Sequence, residues 1–96
     1  MIKIDLRKDL INISGHSGYE EIGKDIVCAS VSSIVITSIN AIIRIDKDAI
    51  DYNEDNGVII KILKHSEIVD KLLDNLIELL KELEKQYPKY IKIRRC

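Results

Sequence analysis

The sequence predicts an α+β domain with the element order ββα-ββα-β, in which two helices pack on a mostly antiparallel sheet. Three observations lead to this fold class. Runs of alternating apolar and polar residues indicate strands, two long periodic segments indicate helices, and an Asn-Gly step indicates a hairpin turn. Hairpins that alternate with helices are typical of an antiparallel sheet covered by helices. The 96 residues suit one domain, 1–96, with an aliphatic core.

The first two strands are predicted from the alternation of apolar and polar residues. Residues 1–7 alternate in this way throughout, which is the period of a half-buried strand. A tight turn at residues 8–9 leads to a returning strand over residues 10–14. Gly15 ends the second strand, and a loop over residues 16–23 follows.

The first helix is predicted from a segment, residues 26–43, that contains no charged side chain. Eighteen residues are too many for an ordinary strand. The length also fits a transmembrane helix, but six of these residues are Ser, Thr or Asn, which favours a helix buried in a core. The near absence of a polar face predicts burial on most sides, and hence a subunit interface. The apolar residues at helical spacing are Val27, Val31, Ile34, Val35, Ile42 and Ile45.

The second half of the chain repeats the pattern of a hairpin followed by a helix. Strands over residues 48–53 and 58–64 flank an Asn-Gly step, a strong signal for a hairpin turn. Ser66 is the predicted N-cap of an amphipathic helix that Pro88 stops, and residues 90–94 form the last strand. The apolar stripe of this helix consists of Ile68, Val69, Leu72, Leu73, Leu76, Ile77, Leu80 and Leu83.

The chemistry is concentrated between the second strand and the first helix. A thiol, Cys28, follows an imidazole, His16, across a glycine-rich loop, and such a pair is sufficient for nucleophilic catalysis. His16 is the candidate that takes the thiol proton and returns it to the leaving amine. Asp25 and Ser32 share a helix face with Cys28, where they could support the site. The pattern alone leaves a simpler interpretation open for each residue. Cys28 could be a buried structural thiol and His16 a turn residue. Asp25 could be an acid in the first turn of the helix, and Ser32 a small packing residue.

Composition argues against several other classes of function. The net charge of −1 and the absence of Phe and Trp predict no direct contact with nucleic acid. The basic residues near the C-terminus are interpreted as a solvated strand end. We expect no membrane association either. His65 and Cys96 are predicted to lie on the surface without a catalytic role.

Motif spacing predicts neither a metal nor a cofactor. Cys28 and Cys96 have no CxxC or CxxH neighbour, so a zinc site has little support. Residues 18–25 match the spacing of a phosphate-binding loop, but Asp25 stands where that loop needs Ser or Thr for magnesium. Two cysteines and no signal peptide before the first strand lead us to expect a cytoplasmic protein.

One run of residues resembles the signature of a known family. Gly15-His16 is followed by Gly23, then by the segment DIVCA that ends at Ala29, and then by Ser32. In this order and spacing the residues resemble the ribosomal-processing cysteine protease family, Prp. The resemblance extends to the order of hairpins and helices along nearly the whole chain.

The resemblance implies a homodimeric α+β enzyme. It implies Cys28 as nucleophile, His16 as general base and acid, and supporting roles for Asp25 and Ser32. It also implies a mobile loop over residues 15–23 that contacts the substrate through Gly15, Ser17, Gly18 and Gly23.

The implied task is removal of a short N-terminal extension from a bacterial large-subunit ribosomal protein, which ribosome assembly requires. The alternative hypothesis is a non-catalytic, ribosome-associated module that binds the same peptide and regulates assembly.

Overall fold

The fold follows the predicted order of elements. The computed structural model describes residues 1–15, 22–54 and 57–95, without the side chains of residues 22–25. Seven elements follow one another along the chain: β1 (Ile2–Arg7), β2 (Leu10–Ser14), α1 (Ile22–Ile45), β3 (Ile50–Asn53), β4 (Val58–Ile62), α2 (Glu67–Gln86) and β5 (Ile91–Arg95).

The five strands form one sheet in the order β3-β4-β2-β1-β5. Three of the four neighbouring pairs are antiparallel, and β1 with β5 is parallel. This agrees with the predicted mostly antiparallel sheet. The parallel pair arises because α2 carries the chain from β4 across the sheet to the far side of β1. The parallel register places Asp5 beside Arg94, and the Arg94 Nε donates to the Asp5 Oδ1 at 2.8 Å.

Both helices lie on the same face of the sheet. Each helix connects two parallel strands: α1 connects β2 to β3, and α2 connects β4 to β5. The two connections cross the sheet towards opposite edges, and the strands that α1 connects run opposite to those that α2 connects. With the right-handed crossover that such units prefer, both helices reach the same face. The two helices contact each other, and their buried residues join the inward residues of the strands in one aliphatic core. The other sheet face is open and largely polar.

The second helix begins and ends where the sequence predicts. The Ser66 Oγ accepts a hydrogen bond from the Val69 N–H at 3.2 Å, which confirms the N-cap. The helix ends two residues before Pro88. Val69, Leu73, Leu76, Leu80 and Leu83 are its buried residues. Ile68, predicted to belong to this stripe, is 55% exposed, because it lies about 100° around the helix from Val69, at the centre of the buried side.

The first helix, α1, is longer than predicted and is buried on one side only. Val27, Val31, Val35, Ile39 and Ile42 enter the core. The opposite side carries half-exposed isoleucines, and Ile45, predicted to belong to the buried stripe, is 51% exposed at the end of the helix. The prediction of burial on most sides is therefore not met within one chain.

The apolar part of α1 is also long enough to cross a membrane. Ile26–Ile45 is 20 residues long with a mean hydropathy of 2.1, and 28% of its most apolar window is buried within the chain. The core helix of a globular protein can have the same length and hydropathy. Since one side of the helix packs into the same core as the sheet and α2, the structure agrees with the predicted core helix.

The second hairpin has shorter strands than predicted. Its first strand begins at Ile50 rather than at residue 48, because the preceding residues form a turn around Asp46. The Asp46 Oδ1 accepts from the Asp48 N–H at 3.0 Å, and the Asp46 carbonyl accepts from the Ala49 N–H at 3.1 Å. The predicted turn residues Asp55 and Asn56 lie outside the described residues.

His65 is exposed, as predicted, but it joins three segments of the chain. Its Nδ1 lies 2.7 Å from the Asp70 Oδ1 on α2, and its Nε2 lies 2.6 Å from the Asp9 Oδ1 in the β1–β2 turn. The two carboxylates raise the pKa of His65: the hydrogen bond that its ring donates to Asp70 is the larger cause, and the one that it donates to Asp9 is the next. Cys96 lies outside the described residues.

Candidate active site

A cavity of about 310 Å³ opens where the first half of α1 passes one end of the sheet. The start of β1, the end of β2 and the start of β4 meet there. The volume is near the lower end of the range for pockets that hold small ligands. The walls are mostly apolar. The lining consists of Ile2, Ile13, Gly15, Cys28, Val31, Ser32, Val35, Ile36, Glu54, Gly57 and Val58.

Cys28 is placed on the cavity wall by the helix. It is the seventh residue of α1, on the same side of the helix as the buried Val31 and Val35, so that its backbone is fixed by packing. The thiol is free and only partly buried, and it borders the cavity. A partly exposed thiol on a rigid helix is accessible to a ligand in the cavity, which a fully buried thiol is not.

The position of Cys28 limits what the helix can do for its charge. The stabilisation of an anion by a helix N-terminus falls off within the first turn. Cys28 lies in the second turn of α1, whose first residue is Ile22. The N-terminus of α1 alone therefore contributes little to the stabilisation of a thiolate at Cys28.

The remaining predicted site residues divide into those that the structure describes and those that it does not. Ser32 lies one turn after Cys28 and lines the same cavity, as its spacing predicts. Asp25 and Gly23 lie on α1, three and five residues before Cys28, and the side chain of Asp25 is outside the described part of the structure. His16, Ser17 and Gly18 lie outside the described residues.

Gly15 forms part of the cavity wall in a conformation that suits glycine. Its φ is +89°, and a Cβ there would lie 2.2 Å from the carbonyl oxygen of Met1. Gly57, on the opposite hairpin, has a φ of +101°, and a Cβ there would lie 2.3 Å from the carbonyl oxygen of Ile13. Both glycines allow the backbone to approach closely at this end of the sheet, and both line the cavity.

Sequence reasoning missed the part of the site that the second hairpin contributes. Glu54, Gly57 and Val58 line the cavity although they lie more than 20 residues after Cys28. Glu54 is the charged residue among the described lining residues. The Asn-Gly step showed that a hairpin is present, but only the pairing of β4 with β2 brings it beside Gly15 and the thiol.

Comparison with known proteins identifies the family. The family model described as Cysteine protease Prp matches residues 1–92. The chain belongs to the cysteine protease Prp family. It is therefore a cysteine protease by family.

Two curated Prp relatives and one solved Prp structure are similar to the chain over most of their length. The ribosomal processing cysteine protease Prp of Mycoplasma genitalium is 28% identical over 96 residues, which cover 97% of this chain and 94% of the relative. The Prp of Staphylococcus aureus is 31% identical over 85 residues, 84% of this chain and 80% of the relative. A structure of Prp from S. aureus in complex with a substrate peptide has a TM-score of 0.90 at 25% identity, and covers 100% of both chains.

This chain has the same fold as the solved Prp structure. The alignment with the S. aureus structure covers the whole of this chain, so it includes every described helix and strand. A cysteine protease needs an accessible thiol, and Cys28 on the cavity wall is the free cysteine of the described residues.

Proposed function

We propose that this protein is a cysteine endopeptidase that removes a short N-terminal extension from a large-subunit ribosomal protein. The observation that carries the proposal is the free, partly exposed thiol of Cys28 on the wall of a cavity, in a chain of the Prp family. The names of the relatives support the ribosomal substrate, and the peptide complex of the S. aureus protein supports a peptide ligand.

In the proposed reaction the Cys28 sulfur attacks the carbonyl carbon of the scissile peptide bond. His16 accepts the thiol proton, the carbonyl oxygen carries the negative charge of the tetrahedral intermediate, and backbone N–H groups near the start of α1 stabilise that oxygen. The C–N bond then breaks, and His16 returns the proton to the departing amine. Water hydrolyses the resulting thioester, which releases the new C-terminal carboxylate and regenerates the thiol.

The supporting roles rest on position along α1. Ser32 borders the same cavity as Cys28, where its hydroxyl can donate a hydrogen bond to the peptide. Asp25 is assigned to orient His16 and to stabilise its imidazolium, because a carboxylate beside the thiolate alone would oppose its ionisation. Gly15, Ser17, Gly18 and Gly23 are assigned to contact the peptide.

The apolar lining indicates the kind of peptide segment that the cavity accepts. Ile13, Val31, Val35 and Val58 offer an aliphatic surface to the ligand. Burial of an apolar side chain contributes about 1.5–3 kcal/mol. An apolar residue beside the scissile bond is therefore expected in the substrate.

We further propose that the enzyme is a cytoplasmic homodimer that associates through the outward side of α1. That side carries Ile26 and Ile36, which are 50% and 51% exposed, and no charged residue lies between Ile26 and Ile43. Unpartnered apolar surface of this kind is typical of subunit interfaces. Sedimentation equilibrium should give a dimer for the wild type and a shift towards monomer for Ile36→Lys, with Ile68→Lys, at a similarly exposed isoleucine of α2, as the matched control. A monomeric wild type would refute the dimer.

The catalytic proposal is tested by binding and cleavage together. A peptide that spans the extension and the mature N-terminus should be cut once by the wild type and bound but not cut by Cys28→Ala. The alternative, a non-catalytic peptide-binding module, predicts equal binding by both proteins and no cut by either.

A further inference from the structure

Glu54 is an exposed carboxylate on the wall of the cavity, and it has no partner among the described residues. It directly follows β3, and its side chain lines the same cavity as Cys28. Within residues 1–15, 22–54 and 57–95, no hydrogen bond or ion pair engages it. Other carboxylates in that part of the chain do have partners: Asp5 accepts from Arg94, and Glu84 accepts from the Ile93 N–H at 2.8 Å.

Because the rest of the described cavity wall is uncharged, the carboxylate of Glu54 can discriminate between peptides of different charge. In the free protein, water solvates the carboxylate. A peptide that fills the cavity displaces part of this water, so the carboxylate needs a new hydrogen-bond donor or loses part of its solvation. A lysine or arginine of the peptide supplies charge-assisted donors, whereas an aspartate or glutamate adds repulsion.

We propose that Glu54 is a specificity residue that selects peptides with a lysine or arginine near the apolar residue held by the cavity. This inference rests on the proposed peptidase function and deepens it by naming a second feature of the substrate. Glu54 acts on the choice of substrate, whereas the bond-breaking steps belong to Cys28 and its base. The carboxylate carries no part of the proton transfer.

The test is a lysine scan of the substrate peptide. The probe is a peptide that spans the N-terminal extension and the first mature residues of the ribosomal protein from the same organism. Peptides are made in pairs, with lysine or the uncharged, similarly long norleucine at each of the four positions on either side of the cut. We expect the wild type to prefer lysine about three- to fivefold in kcat/KM at one or more positions, the range of a partly exposed ion pair.

Variants of Glu54 should remove or invert the preference at that position. Glu54→Gln keeps the shape and the hydrogen-bonding capacity but not the charge, and should lower the ratio of lysine to norleucine to about one. Glu54→Lys should favour norleucine over lysine. The matched control is Asp51→Asn, an exposed carboxylate on β3 that does not line the cavity, and it should keep the wild-type ratio.

Failure of this inference differs from failure of the proposed function. A wild type that cuts the norleucine peptides but shows no preference for lysine at any position would overturn the role of Glu54 alone. An unchanged preference in Glu54→Gln would do the same. If the wild type cuts none of the peptides, the peptidase function and this inference fall together.

Discussion

Substitution of Gly57 by alanine should cost more stability than the same substitution at Gly15, although both glycines line the cavity. At Gly57 the backbone has a φ of +101°, a conformation in which a residue with a Cβ is strained by about 1–3 kcal/mol. The added Cβ would also lie 2.3 Å from the carbonyl oxygen of Ile13. Relief of such an overlap by a backbone shift typically costs about 1–3 kcal/mol.

The difference between the two glycines comes from the freedom of the backbone that each Cβ meets. Ile13 is paired on both sides, with Ile4 of β1 and with Val58 of β4, so its carbonyl cannot move without disturbing the sheet. Met1 precedes β1, and its carbonyl belongs to a peptide group held by one hydrogen bond, from the Ile2 N–H to the Tyr90 carbonyl at 2.8 Å, so it can yield more easily than the carbonyl of Ile13. We therefore expect a loss of about 2–6 kcal/mol for Gly57→Ala and about 1–3 kcal/mol, mainly conformational strain, for Gly15→Ala.

Urea unfolding followed by circular dichroism measures both losses. Small domains have a free energy of unfolding of about 5–15 kcal/mol, so the change at Gly57 should lower the midpoint markedly. A loss below about 0.5 kcal/mol for Gly57→Ala, or a larger loss for Gly15→Ala than for Gly57→Ala, would refute the reasoning about close backbone approach at the cavity.

Two further predictions concern regions away from the cavity. Because the pKa of His65 is raised above its usual value of 6.5 in the folded state, its two ion pairs stabilise the fold fully below about pH 6.5, and this contribution is lost as the pH rises through the raised pKa. Urea unfolding of His65→Gln should therefore show a larger loss of stability at pH 5.5 than at pH 8.5, and equal losses would contradict the assignment. Leu76→Ala, at a fully buried position of α2, should cost about 2–5 kcal/mol in the same assay, whereas Ile68→Ala, at a position 55% exposed, should change stability by about 0.5 kcal/mol or less. Similar losses for the two alanine variants would mean that the core is not where the structure places it.

The elements of this fold could be predicted because each has a local cause. The cap at Ser66, the stop before Pro88 and the alternation along β1 depend on residues a few positions apart. The first helix shows the limit of such reasoning. Its uncharged sequence predicts burial on most sides, but a single chain covers only one side, and composition does not reveal what covers the other.

The arrangement of the strands could not be predicted, because it depends on contacts between distant residues. The pair of Asp5 and Arg94 joins positions 89 apart, and His65 meets Asp9 across 56 positions. Neither contact has a signal in the spacing of residues along the chain. Local patterns therefore do not show which distant segments the sheet brings together.

The candidate site was predicted in part for the same reason. Cys28 and Ser32 are one helical turn apart, so their shared position on the cavity wall follows from the sequence. Glu54 and Gly57 join them only through the pairing of β4 with β2. The roles of His16 and Asp25 stay predictions that rest on the family resemblance.

The central claim is that Cys28 is the nucleophile of a peptidase. The most direct test incubates the wild type, Cys28→Ala and Cys96→Ala with a peptide that spans the extension and the mature N-terminus, and identifies the products by mass spectrometry. Alanine suits a helix, so Cys28→Ala should keep the circular dichroism spectrum of the wild type. The account predicts a single cut by the wild type and by Cys96→Ala, and none by Cys28→Ala. A cut by Cys28→Ala at the wild-type rate would contradict it.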